Sequence, residues 1–410
     1  MDIGILGFDA TAQATLDALR WNRQSLSLRS RNELRVVSVA PPAPLAHGLS
    51  LPEGCRLAAT LTEVVDDPMI DVVIDVIDDI ELAKRVVMKA LQRRKHVVTT
   101  NGALLAMHGS EIFSHATAHG AIVGFEGSVG GSIPLVKLLR EAFAGDRIEA
   151  LTCVLPECRA SAVPPADAAS HPAIAGTRAS HTLIILAALA FGLPMRQHAI
   201  HVSDATVPEA CDQDFADDMG YCIRWLASAR RHDQACEMRI EPALLPRTHP
   251  VARLPAQMSA LLLHADMSGT TIHCGTDADS QGRASAVLAD LLDIARLLDA
   301  RPDHHVPPAA FLHEPPTPAP AAADGRQRDG ARYLRFNVAD DERVVESIGE
   351  TLARHSIALD TTRQSAAKAG RRDLAVLTRD CSWSHLGRAL AQLQPLCHEV
   401  VSLPIERLLH

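Results

Sequence analysis

Ile3-Gly4-Ile5-Leu6-Gly7-Phe8-Asp9-Ala10-Thr11-Ala12 decides how the N-terminal part of this 410-residue chain folds. Its first five residues are small or apolar without interruption, as a strand buried on both faces requires. After the turn at Gly7, apolar residues recur at helical spacing from Ala12 to Leu19. The alternation repeats downstream. Leu34–Val39, Val72–Ile77, His96–Thr100 and Ala121–Phe125 read as strands, and the helical stretches Glu81–Leu91 and Leu104–Ala118 lie between the later ones. Strands spaced by such helices predict an α/β unit over residues 1–126, a Rossmann-like doubly wound parallel sheet.

From residue 127 to 300 the pattern is mixed and predicts an α+β domain. A helix begins near Pro134 and reaches Phe143, strands fall at Ala150–Leu155 and Ser259–Leu263, and a helix over Ser285–Leu298 closes the domain. Residues 301–331 hold Pro302, Pro307, Pro308, Pro315, Pro316, Pro318 and Pro320 among small and polar residues, which reads as an extended linker. Residues 332–410 then give strand, helix, strand, strand, helix, strand, a ferredoxin-like order.

Charge and composition exclude several functions. With 40 Lys and Arg against 49 Asp and Glu the net charge is −9, the wrong sign for a general nucleic-acid binder. No apolar run reaches the roughly 18 residues that cross a bilayer, so no membrane role is expected. Met1-Asp2-Ile3-Gly4-Ile5 reads as the start of a strand and not as a signal peptide. Nine cysteines without a C-x-x-C pair fit a reduced, cytoplasmic setting. Aromatic residues are only 3% of the chain, so Leu, Val, Ile and Ala must fill the core.

Phe125-Glu126-Gly127-Ser128-Val129-Gly130-Gly131-Ser132-Ile133-Pro134 resembles the segment joining the nucleotide and catalytic domains of homoserine dehydrogenases that carry a C-terminal ACT domain. Val97-Val98-Thr99-Thr100-Asn101, Arg147-Ile148-Glu149, Leu186–Gly192, Met219-Gly220-Tyr221 and Ala284-Ser285-Ala286-Val287 match in the same order, and Tyr333–Asp340 with His355-Ser356-Ile357 resembles an ACT domain. The resemblance implies NAD(P)H-dependent reduction of aspartate semialdehyde to homoserine, with hydride delivered to the aldehyde carbon and a lysine supplying the proton. It implies cofactor contacts at Gly7, Thr99, Asn101 and Gly275. It also implies a monovalent cation near Glu126, Val129, Gly131 and Ile133, an amino-acid-pathway small molecule as ligand, and a homodimer.

The chain departs from the family where chemistry is concentrated. The family's G-x-G-x-x-G loop reads Gly7-Phe8-Asp9-Ala10-Thr11-Ala12, its Gly-Gly after the third strand is Asp78-Asp79, and its later glycine-rich turn is Gly275-Thr276-Asp277-Ala278-Asp279. A carboxylate beside a diphosphate repels it by roughly 1 kcal/mol in water at about 4 Å, and by about 4 kcal/mol at the dielectric of a surface cleft. The alternative for Asp9 is to cap the helix that follows, and for the others to sit in solvated turns. Val39-Ala40-Pro41-Pro42 ends the second strand with no acid for a ribose and no arginine for a 2′-phosphate.

Gly102 stands where the family's first lysine is expected, Arg178 and Thr182 replace its aspartate and second lysine, and Pro156-Glu157-Cys158-Arg159-Ala160 replaces its substrate-gripping N-G-T-T-N. His181 is the remaining candidate acid, against the alternative of an ordinary packed histidine. Arg343 replaces an ACT glycine; it either grips a carboxylate or lies exposed at a helix start. The basic run Arg230-Arg231-His232 reads as a solvated helix face.

Three functional expectations follow. The first is a divergent dehydrogenase. The second is a non-catalytic paralogue acting as a regulatory or scaffolding subunit. The third is a cation or a basic ligand held by Asp9, Asp78, Asp79, Asp277 and Asp279 in the vacated cleft.

Overall fold

The computed structural model describes residues 1–30, 32–41, 51–154, 178–196, 200–202, 208–232, 235–255, 258–276, 279–299, 321–322 and 328–407, which are organised around three sheets. The first contains β1 (Asp2–Leu6), β2 (Arg35–Ala40), β3 (Arg56–Leu57), β4 (Val72–Asp75), β5 (His96–Thr99) and β6 (Val123–Gly124). All pair in parallel, in the order β3-β2-β1-β4-β5-β6. The helices α1 (Ala10–Trp21), α2 (Arg23–Ser30), α3 (Leu61–Asp66), α4 (Ile80–Gln92) and α5 (Gly102–His119) connect the strands. Every residue of β4 and β5 is buried, which explains the apolar stretches Val72–Ile74 and Val97–Val98 within them. The strand order reverses between β1 and β4, where doubly wound sheets open a ligand crevice at the carboxyl ends of the strands. The short elements α2, β3 and α3 leave too little periodicity to be read from sequence.

The middle region begins with α6 (Glu126–Val129) and α7 (Leu135–Lys137), which passes directly into a π-helical turn at Leu138–Ala142. The expected helix to Phe143 therefore changes its winding after one turn. Next come β7 (Ile148–Val154), α8 (Arg178–Phe191), β8 (His201–Val202), α9 (Ala210–Asp218), β9 (Tyr221–His232), β10 (Ala235–Pro246), β11 (Met258–Ala265), β12 (Gly269–Thr276), α10 (Ser280–Asp299) and β13 (Ala321–Ala322). The second sheet has the order β12-β11-β7-β9-β10-β13, with β8 beside β10. Helix α8 is apolar around most of its circumference because it is packed on more than one side. Leu183, Ile185, Leu186 and Leu189 share a core with Leu104 and Leu105 of α5 and with Ala227, Met238 and Leu261 of the sheet.

Two expectations change here. Arg230-Arg231-His232 is the end of β9, paired to Glu237, Cys236 and Ala235, and not a helix face. The long β9–β10 hairpin escaped the sequence reading because charged side chains punctuate it. Arg239 is buried between Glu237 and Glu241 on alternate positions of β10, and its Nη1 lies 3.1 Å from Glu241. Helix α10, expected to close the second domain, instead returns to the first sheet. Val287, Leu288, Leu291, Leu292 and Ile294 pack with Ile3, Ile5, Leu16, Val72 and Val98.

The third sheet contains β14 (Arg332–Ala339), β15 (Leu359–Gln364), β16 (Arg371–Thr378) and β17 (Cys397–Pro404), antiparallel in the order β15-β16-β14-β17. With α11 (Glu342–Arg354) and α12 (Trp383–Leu393) inserted after β14 and β16, this is the ferredoxin-like arrangement. One face packs on the two helices through Leu334, Phe336, Ile348, Leu352 and Leu386. The other docks Tyr333, Leu377, Val401 and Leu403 on Phe215 of α9 and on Ile223 and Leu244 of the β9–β10 hairpin.

At the centre of that contact Arg335, 2% exposed, donates through Nε to Asp212 at 2.7 Å, and the Tyr333 hydroxyl donates to the same carboxylate at 2.8 Å. Burial and the Asp212 charge push the Tyr333 phenol well above its usual range. Among the described residues, no helix is long and apolar enough to cross a membrane.

Candidate functional site

At the carboxyl ends of β1, β4 and β5 a cleft of about 220 Å³ faces α6, α8 and the start of α10. Asp9, Asp78, Asn101, Gly102, Arg178, His181 and Thr182 all line it. The sequence singled these residues out separately, and the fold brings them together. Val129, Gly131 and Ile133 form part of the same wall, while Glu126 lies behind it. Ser128 and Arg283, neither of them anticipated as site residues, also line it.

Each loop is fixed by local chemistry. Gly7 has φ +92°, and a Cβ there would lie 3.0 Å from the Val76 carbonyl oxygen, so the first glycine of the loop is required by the turn itself. Asp9 caps α1, its Oδ1 accepting the Ala12 N–H at 2.8 Å. Asp79 caps α4 by accepting from Leu82 at 2.7 Å, and Asp279 accepts from Gly282 at 2.8 Å at the start of α10. Capping is thus the local role of three of the substituted aspartates. Asp277 lies outside the described residues, as does Pro156–Ala160. Among the described residues, no three His, Cys, Asp or Glu side chains gather as a metal cluster.

The remaining expected contacts are differently placed. Thr99 is fully buried and donates to Asp75 at 2.8 Å, so it supports the cleft from behind. Asn101 is in the wall, but its Oδ1 accepts from Leu104 and its Nδ2 donates to Ile77 O, each at 2.8 Å. Gly275 backs the connecting segment, where a Cβ would lie 2.7 Å from Ile133 Cγ1. Asp75, also fully buried, accepts from Ile77 N at 3.1 Å, and burial pushes its carboxyl up to about 7. A charge inside the apolar run Val72–Ile77 was the signal that could have exposed it.

Thr182 is 1% exposed, and burial lowers the His181 imidazole from its usual range. At Gly102 a Cβ would lie 2.5 Å from the Ser128 carbonyl oxygen, so the backbone of α6 occupies the space where a side chain would begin. Behind the cleft the Glu126 carboxylate accepts from Val136 N at 2.9 Å and Lys137 N at 3.0 Å, while its own N–H donates to Asp290 at 2.9 Å. Burial and then the neighbouring Glu126 push Asp290 up to about 8. The Ile133 carbonyl accepts from Leu135 N at 2.9 Å.

Comparison with known proteins places this arrangement. Residues 9–126 match the family model for the NAD-binding domain of homoserine dehydrogenase, and residues 164–292 match that for homoserine dehydrogenase itself. The homoserine dehydrogenase of Pseudomonas aeruginosa is 30% identical over 435 aligned positions, which cover 99% of this chain and 98% of that protein. The chain belongs to the homoserine dehydrogenase family. That of Neisseria gonorrhoeae is also 30% identical, over 99% of this chain and 97% of its own. The crystal structure of a homoserine dehydrogenase from Thiobacillus denitrificans superposes with TM-score 0.86 at 33% identity, covering 100% of this chain and 98% of that one. In this family member the matched NAD-binding region begins at Asp9, the residue that caps α1.

Proposed function

We propose that this homoserine dehydrogenase homologue catalyses hydride transfer weakly or not at all, and serves chiefly as a regulatory or scaffolding subunit, a pseudoenzyme. The observation that carries the reading is the contact at Gly102. The position that the resemblance assigns to a lysine lacks the amine, and a Cβ there would stand 2.5 Å from Ser128 O. The second lysine position is the buried Thr182, whose hydroxyl holds its proton too tightly to replace an ammonium as acid.

NAD(P) supplies or accepts a hydride when bound to members of this family, and the residues here fit its diphosphate poorly. The N-terminus of α1, which a phosphate would approach, already holds the Asp9 carboxylate, and Asp78 adds a second acid to the same wall. In this reading residues 332–410 form an ACT-like regulatory unit after a linker at 301–331, and two chains pair as a homodimer. Arg343 is exposed at the start of α11 and is not proposed as an effector ligand.

A second reading, residual dehydrogenase activity, is favoured by similarity along nearly the whole chain and by retention of Glu126–Pro134. In it His181, which lines the cleft, is the candidate acid, and a monovalent cation sits near Glu126, Val129, Gly131 and Ile133. Titration with NADPH and NADP⁺, followed by turnover with homoserine, separates the two. Absence of saturable binding supports the first, and micromolar binding with turnover establishes the second.

A further inference from the structure

A cavity of about 950 Å³ lies between the second sheet and the C-terminal unit, and no residue lines both it and the cleft. Its size is at the upper end for small-molecule sites, roughly 300–1,000 Å³. Six arginines and four carboxylates line it. Three of the carboxylates are already engaged. Glu406 pairs with Arg328, Glu149 lies 3.5 Å from His264 Nε2, and Asp329 accepts the Trp383 N–H at 2.8 Å.

The arginines are less well served. The guanidinium groups of Arg147, Arg230 and Arg407 have no hydrogen bond or ion pair among the described residues. Arg332 is 6% exposed, stacks 4.8 Å from the centre of the Trp383 ring and donates to Arg328 O at 3.2 Å, with no ion pair to a carboxylate among the described residues. A guanidinium carries five donors, and a single carbonyl with an aromatic face leaves it capacity for further acceptors. Burial lowers its pKa accordingly. Arg231 belongs to the opposite face of β9: it stacks on Phe191 and donates to Ala190 O, so it is excluded from this set.

We propose that the cavity binds a small polyanion, bearing phosphate or carboxylate groups, that bridges Arg147 and Arg230 at the second sheet to Arg328, Arg332 and Arg407 beside and within the C-terminal unit. A lining that draws arginines from both units and includes the apolar Leu262 and Ile405 suits a compact molecule with more than one acidic group. Such a ligand ties the two units together, and it does so whether or not the cleft supports hydride transfer.

The test is calorimetric titration of the full chain with inorganic pyrophosphate and, separately, with citrate, for the parent, the Arg147→Gln/Arg230→Gln variant and an Arg85→Gln control. Saturable binding of at least one probe at one per chain is expected, weakened at least tenfold in the double variant and unchanged in the control, with ligand-free melting unchanged in both. The probe that binds tells phosphate from carboxylate. No saturable binding of either probe, equal affinity in the double variant, or equal loss in the control overturns the proposal.

Discussion

Asp9→Gly isolates the electrostatic part of the account. In the parent the Asp9 carboxylate accepts the Ala12 N–H at 2.8 Å and occupies the N-terminus of α1. Glycine is itself an acceptable cap, so the substitution should cost only a few tenths of a kcal/mol, roughly, in stability. For a diphosphate the change is larger. Removing one negative charge at about 4 Å relieves roughly 1 kcal/mol in water and about 4 kcal/mol at the dielectric of a surface cleft. These limits correspond to roughly fivefold and several hundredfold in affinity. Asp78 still lines the cleft, so recovery should fall toward the lower limit. Titration with NADP⁺ at two ionic strengths should therefore show the variant binding at least about fivefold tighter, with the advantage shrinking as salt screens it. If the variant melts like the parent but binds NADP⁺ no better, the carboxylate is not what opposes the dinucleotide, and the reasoning fails.

Three further outcomes are expected. Gly102→Lys should lower stability by about 1–3 kcal/mol, because its Cβ meets Ser128 O, and should not create turnover; thermal melting and an NADPH-linked assay check both parts. Asp212→Ala should leave the buried Arg335 charge without its main partner, at a cost of about 3–5 kcal/mol. Hydrogen exchange should then rise across β14 and α9 first, and protection equal to the parent would show that the pair does not hold the C-terminal unit. Asp290 has a folded-state carboxyl pKa raised to about 8, so between its unfolded value and about 8 the folded chain holds a proton that the unfolded chain has lost. Its contribution to stability therefore falls as pH rises through that window, by at most about 1.4 kcal/mol per pH unit. Asp290→Asn should flatten that decline, and parallel stability profiles for parent and variant from pH 5 to 8 would contradict it.

The first sheet was legible because β1, β2, β4 and β5 are buried strands whose apolar runs have no competing explanation. The β9–β10 hairpin was not, since one of its faces carries Arg230, Glu237, Arg239 and Glu241, and charges paired across or along strands erase the simple alternation. Helix α10 was found but its packing on the first sheet was not, because an amphipathic face does not say which sheet it will meet. In the cleft, the family resemblance singled out Asp9, Asp78, Asn101, Gly102, Arg178, His181 and Thr182 one by one, and the fold brings them to one wall. What they could not convey was satisfaction. Thr99 and Asn101 look like free contacts in the sequence, yet Asp75, Ile77 and Leu104 already take up their hydrogen bonds. Similarly, nothing in the letter Gly at position 102 reveals that Ser128 O stands in the way of a side chain.

The most direct measurement is calorimetric titration of the unmodified protein with NADP⁺, followed by single-turnover assay with homoserine at saturating concentration. The account predicts no saturable heat below the millimolar range and no NADPH formed. Micromolar binding accompanied by stoichiometric NADPH would contradict it.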